Sequence, residues 1–237
     1  MDFAGLWRTV TDAVTATQPA PPRWLVLACA GAALLAVVPR PLWRLSRNVV
    51  TIAHEGGHGL VALLTRRRLS GIRLHSDTSG LTISSGPPTG PGMILTAAAG
   101  YTAPPLLGLG GAALLAGQHV TQLLWISVVL LAGLLVMIRN LYGLLSVVVT
   151  GGAFFLISWY GGSQLQSAFA YAGVWFLLLA GVRPVLELQG KRRREGARST
   201  DADQLARLTG LGPLLWVTVF LLVALVSLAL GAAWLLA

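Results

Sequence analysis

The chain has 237 residues; 55% are hydrophobic, only 11% are charged, and the mean hydropathy is +0.73. Soluble domains carry about a quarter charged residues, so charge this sparse excludes a fully water-facing surface and calls for lipid around much of the chain. The net charge of +9 would suggest nucleic acid in a soluble protein. Here the basic residues flank apolar runs without aromatic interleaving, which excludes a nucleic-acid surface and reads as membrane topology. The one cysteine, Cys29, rules out an internal disulfide and a Cys-rich metal site.

The predicted fold is an all-α membrane protein, a polytopic bundle of six to seven transmembrane helices with a short β-hairpin after the second helix. Residues 1–22 are mixed in character, contain acids and end in Pro-Ala-Pro-Pro. They are expected to form a cytoplasmic N-terminal lead without a cleavable signal. The core bundle is expected over 23–184. Its first span is Trp24–Val38, closed by Pro39-Arg40-Pro41, and its second is the less apolar 46–65, ended by Arg66-Arg67-Arg68. In 70–92, Ile72, Leu74, Leu81 and Ile83 alternate with polar residues around Asp77-Thr78-Ser79-Gly80, a hairpin pattern.

Met93–Leu115 is the third span, with Pro104-Pro105 as a kink or break; 121–138 is the fourth, Leu141–Tyr160 the fifth and Phe169–Val182 the sixth. Residues 185–209 read as a basic cytoplasmic linker, and 210–237 as a C-terminal transmembrane helix. The positive-inside rule places Lys191-Arg192-Arg193-Arg194 in the cytoplasm. Counting seven crossings back from there puts the N-terminus in the cytoplasm too, but leaves Arg40, Arg44 and Arg47 on the outer side, against the rule.

Inside the second span stands His54-Glu55-Gly56-Gly57-His58. Residues four apart share a helix face, so His54 and His58 can hold one metal ion through two imidazoles. Glu55 lies next to that face, where it can take a proton from water; zinc lowers the pKa of the water it holds towards ~7, and Glu55 can pass the proton to a leaving amine as general base and then acid. An interhelical polar network would also account for three ionisable groups in a span. Such groups cost roughly 2.5–3.5 kcal/mol each and are functional by default, which favours the metal. Gly56, Gly57 and Gly59 either let a neighbouring helix approach or leave room for a peptide. A catalytic zinc takes three protein ligands; the third candidates are His75, Asp77, His119, Asn140, Asp201 and Asp203, and spacing does not choose among them. Asp77 suits a turn, His119 a loop, and Thr200 or Asp201 a helix N-cap.

These motifs resemble the site-2 protease class of intramembrane zinc metallopeptidases, and within it the peptidase M50B-like branch. The resemblance runs from residue 46 onwards, through H-E-G-G-H at 54–58, I-R-L-H-S-D-T-S-G-L-T at 72–82, A-A-G-Y at 98–101, R-N-L-Y-G at 139–143 and S-T-D-A-D-Q-L-A-R-L-T at 199–209. It implies a zinc metalloprotease that hydrolyses membrane-embedded helices near the cytosolic face, with Glu55 catalytic and His54 and His58 on zinc. It implies Asn140 as a substrate-binding residue. The aspartate that follows it in better-studied members has no counterpart here, where Thr150-Gly151-Gly152 stands instead; within the narrower branch Asp201 is the implied third ligand, which requires the linker to fold back to the second span. The hairpin could add a substrate strand to its edge. The expected setting is a bacterial plasma membrane, with a transmembrane protein as substrate; the alternative is an inactive scaffold or regulatory binding protein on the same fold.

Overall fold

A computed structural model describes residues 16–195 and 200–237; residues 1–15 of the expected lead and 196–199 of the expected linker lie outside these. Among the described residues the chain forms α1 (Arg23–Val37), α2 (Arg40–Leu64), β1 (Arg68–Leu74), β2 (Gly80–Ser85), α3 (Pro91–Ala116), α4 (Val120–Met137), α5 (Leu141–Tyr160), α6 (Ser163–Ala180), α7 (Val182–Glu195), α8 (Asp201–Thr209) and α9 (Pro213–Leu236). Proline opens α2, α3 and α9 in their first turn, where its missing N–H has no helical partner to lose. Pro104 and Pro105 are buried inside α3, which continues through them.

Among the described residues, five helices are long and apolar enough to cross a membrane: α3, α4, α5, α9 and the run of α6 with α7, Ser163–Arg193. The pair α1 and α2 passes the same test together but is bent by 101° at the break. The two segments expected as separate spans are thus the arms of one angular path. The bend is held by Arg183, whose guanidinium donates to the carbonyls of Val37 and Val38, groups that the end of α1 leaves without helical partners. The Arg183 guanidinium also lies 4.9 Å from the centre of the Trp43 ring, so it joins three elements at one point.

This changes which chain ends lie together. Gln18 donates from its side chain to Thr121 and Gln166, both at 2.7 Å, and from its backbone to Gln118. Arg23 donates to the carbonyl of Leu236 at the end of α9. The described part of the lead therefore sits with the C-terminus, at the end of the bundle away from α7 and α8. Seven crossings would have separated the two.

The hairpin is antiparallel, with Ile72 opposite Thr82, and its register shifts between Leu69 and Gly71. Ile72 and Leu74 are buried with Ile52, Ile138 and Val147, whereas Leu81 and Ile83 are exposed. The outer edge of β1 is taken: Arg139 N–H donates to Ile72, and the Asn140 amide both donates to and accepts from the Leu74 backbone, at 2.6 and 3.1 Å. Among the described residues no strand pairs with the outer edge of β2.

The described parts of the stretch expected as a linker are mostly helical. Val185 and Leu188 of α7 and Ala202 and Leu205 of α8 are buried against Ala97, Val217 and Phe220. Thr200 caps α8 in a reciprocal capping box with Asp203, and Gly210 ends it in the left-handed region at φ 74°.

Candidate metal centre

His54 and His58 come from the middle of α2, one turn apart, and Asp201 from the first turn of α8. Their nearest atoms form a small triangle. His54 Nε2 lies 3.1 Å from His58 Nε2, and Asp201 Oδ2 lies 3.3 Å from each. No other group of three histidine, cysteine or acidic side chains with this closeness occurs among the described residues. His58 Nδ1 lies 2.7 Å from the carbonyl of Thr96 on α3; an N–H there donates to the carbonyl and leaves Nε2 free to act as a ligand. The His54 ring meets Tyr101 edge-on at 4.8 Å, and Tyr101 stacks on Phe220 of α9 at 5.1 Å, so three helices fix that imidazole.

Glycine makes this packing feasible. A Cβ on Gly100 would stand 2.4 Å from His58 Nε2 and 2.6 Å from the His54 ring. Within the motif, Gly57 faces Ala103 and the Ala99 carbonyl at distances that admit no side chain, and Gly59 lies against Ile72 of the hairpin. Gly56 meets only Leu134, at ordinary contact distance. Close approach of α3 and the hairpin thus explains Gly57 and Gly59.

Glu55 is buried beside Gly80 and Thr82 of β2. Its Oε2 accepts from the Thr82 hydroxyl at 2.6 Å. Thr51, one turn earlier, donates to the Thr78 carbonyl at 2.8 Å, so α2 and the start of β2 run side by side.

The Asp201 carboxyl is raised by burial, but its contacts with His54 and His58 outweigh that and hold it well below the usual carboxylate range. It is an anion at neutral pH, as a ligand or an ion-pair partner must be. Asp203 is held differently. It accepts from Thr200 and is ion-paired at 3.0 Å with Arg192 of α7.

The other candidates lie elsewhere. Asp77 accepts from the backbone and hydroxyl of Ser79 in the exposed hairpin turn, with His75 beside the same hydroxyl. His119 stands at the N-cap position of α4, at the opposite end of the bundle, with no capping hydrogen bond from its side chain. Asn140 is occupied with the Leu74 backbone, so the structure brings it to the hairpin's closed edge and not to the histidines. Thr82, Thr96, Gly100, Tyr101 and Arg192 were not singled out by their spacing. Thr82, Gly100 and Tyr101 lay within motifs of the resemblance, at 72–82 and 98–101, with no role assigned to them there.

All three triangle residues and Glu55 line one cavity of about 1370 Å³. Its walls are α2, the open edge of β2, Tyr101 of α3, and α7 with the start of α8. A family model described as Peptidase M50B-like matches residues 27–231. The chain belongs to the peptidase M50B-like family. That places it in the site-2 protease class, whose M50 members are generally metallopeptidases. Within this M50B-like chain the match includes every residue of the triangle and the whole cavity wall. No curated protein and no solved structure was found to match the chain.

Proposed function

We propose that the protein is an intramembrane zinc metalloprotease whose metal is held by His54, His58 and Asp201. The observation that carries this is the size of the triangle. Ligands at about 2.0–2.1 Å on a tetrahedral zinc stand roughly 3.3–3.4 Å apart, against edges of 3.1, 3.3 and 3.3 Å here. A purely structural ion-pair network would draw the carboxylate to about 2.7–2.9 Å from a charged nitrogen; 3.3 Å to both rings suits ligands around an ion better.

A zinc ion held there supplies a Lewis acid that polarises a peptide carbonyl and acidifies water. The chain's own residues do the rest. Glu55 accepts the proton of the attacking water and hands it to the departing amine nitrogen. The Thr82 hydroxyl holds the Glu55 carboxylate in place while it does so. The open edge of β2 offers backbone groups to an extended substrate segment, and Leu81 and Ile83 on that strand are exposed and line the cavity. An unwound stretch of a transmembrane protein, carried in from lipid, fits such an edge.

The family supports a multi-pass membrane protein, and charge supports an orientation. Arg66–Arg68, Arg73, Arg139, Lys191–Arg193 and Arg207 belong to the hairpin, the α4–α5 junction, α7 and α8, while Arg23 lies at the other end with Leu236. The basic end is cytoplasmic by the positive-inside rule, so the described lead and the C-terminus lie outside. Arg40, Arg44 and Arg47, which seven crossings stranded on the outer side, follow the bend that Arg183 holds and no longer conflict with it.

Elemental analysis of detergent-purified protein tests the proposal. About one zinc per chain is expected, lost in His54→Ala, weakened in Asp201→Ala and kept in Glu55→Gln, which does not cleave. Folded protein that takes up no zinc when it is supplied would favour the scaffold alternative.

A further inference from the structure

The cavity is unevenly charged. Apart from the metal-centre residues and Glu55, its ionisable lining is Arg40, Arg47, Arg183, Lys191 and a single carboxylate, Glu187. Glu187 accepts from Trp43 at 2.9 Å and from Arg183 at 3.0 Å, and lies 3.7 Å from Arg47. Arg183 is further committed to the carbonyls at the α1–α2 bend. Arg40 and Lys191 are exposed and make no hydrogen bond or ion pair with the described residues. Three cations therefore face the cavity with at most a shared, loose claim on one carboxylate.

Their placement is regular. Arg40, Arg47 and His54 are spaced by sevens (47 − 40 and 54 − 47), two helical turns each time, so they form one stripe on α2. All three line the cavity. The stripe runs from the zinc-ligand pair towards the Thr78 end of β2, because Thr51 meets Thr78 and Glu55 meets Thr82.

On the reading of this cavity as a protease site, we infer that Arg47, backed by Arg40 and Lys191, selects substrates carrying an acidic side chain a fixed distance from the bond to be cut. Seven helical residues rise about 10 Å, which an extended peptide covers in about three residues at ~3.3 Å each. The favoured position is therefore about three residues from the scissile bond. A peptide carboxylate is favoured over a lipid headgroup because the cations share a helix stripe with the metal ligands and face the open edge of β2 across the same cavity, where an added strand would hold its side chains in register.

The test is binding, which needs no turnover. Fluorescent apolar peptides of one sequence, with a single Asp moved position by position and Asn as its neutral partner, are titrated against zinc-loaded Glu55→Gln protein in neutral detergent. Wild-type protein and mass spectrometry locate the cut in the Asn peptide separately. The expected result is about tenfold tighter binding with Asp near the third position from the cut than with Asn there. Adding Arg47→Gln or Arg40→Gln shrinks that ratio, Arg47→Glu reverses it in favour of Lys, and Arg73→Gln, which removes a charge outside the cavity, leaves it intact. Equal binding of Asp and Asn peptides at every position overturns the inference, as does a ratio that survives the Arg40→Gln/Arg47→Gln double variant. Equal peptide binding with a response only to added phosphatidylglycerol also overturns it, assigning the cations to lipid. Failure of the protease reading shows separately, as absent zinc and absent cleavage by wild-type protein.

Discussion

At the scale of single residues, the site depends on what is missing as much as on what is present. Gly100 has no side chain because two imidazoles occupy the place where it would be. Gly100→Ala should keep the fold and lose roughly 10- to 100-fold in zinc affinity, since moving tightly packed groups costs ~1–3 kcal/mol; metal titration followed by competition with a chelator would measure it. Thr82 is the second dependence. Thr82→Val removes the hydroxyl that holds Glu55 and should lower kcat about tenfold or more with KM and zinc content nearly unchanged, whereas Thr82→Ser should restore most of the rate. His54, Glu55 and His58 were legible in the sequence because their geometry is local: four residues of helix fix it. Asp201 was not legible from spacing at all and rested on family resemblance, because its distance from the histidines is set by how α7, α8 and α9 pack. Thr82 and Gly100 stood in motifs of the resemblance, but their contacts with Glu55 and the two imidazoles were illegible for the same reason. Their partners are near in space and far in sequence.

At the scale of elements, α8 is a short helix that must be held firmly enough to present a ligand. Its capping box and the Arg192–Asp203 ion pair do this from outside the triangle. Arg192 belongs to a basic run whose plain explanation is topology, yet it alone of Lys191, Arg192 and Arg193 pairs with a buried acid. Arg192→Ala should weaken zinc binding by about 10- to 100-fold, Arg192→Lys should recover part of it, and Arg193→Ala should do neither, all read by zinc titration of the folded protein. Element types were largely readable. The apolar runs became helices and the alternating run became a hairpin, although α2 and α6 begin at Arg40 and Ser163, ahead of the expected residues 46 and 169. The stretch at 185–209 was read as a polar linker because its charges dominate its composition; four of its apolar residues, Val185, Leu188, Ala202 and Leu205, are buried while Leu186 is exposed, which only packing reveals. Pro39 and Pro41 marked the break between α1 and α2, but hydropathy carries no angle.

At the scale of the whole molecule, that angle decides topology. With α1 and α2 as one bent path, Gln18 and Arg23 lie at the same end of the bundle as Gln118 and Leu236. Single cysteines placed at Ser163 and Arg193 in a Cys29→Ser background should label from opposite sides of intact cells, and a cysteine at Gln18 should label with Ser163. Labelling of positions 18 and 193 from the same side would restore seven crossings. The bend also gives the cavity its form, since α2 leaves the line of α1 and opens space that α3, the hairpin and α7 enclose.

The triangle joins residues that are 147 positions apart (201 − 54). A ribosome making this chain lays down both imidazoles early and reaches the carboxylate only after most of the apolar helices have been synthesised. A nascent chain stalled in between therefore holds the two histidines and lacks the helix that carries Asp201. The order of synthesis thus acts as a safety catch on the candidate metal centre, whose two halves can meet only once α8 has followed the helices between them.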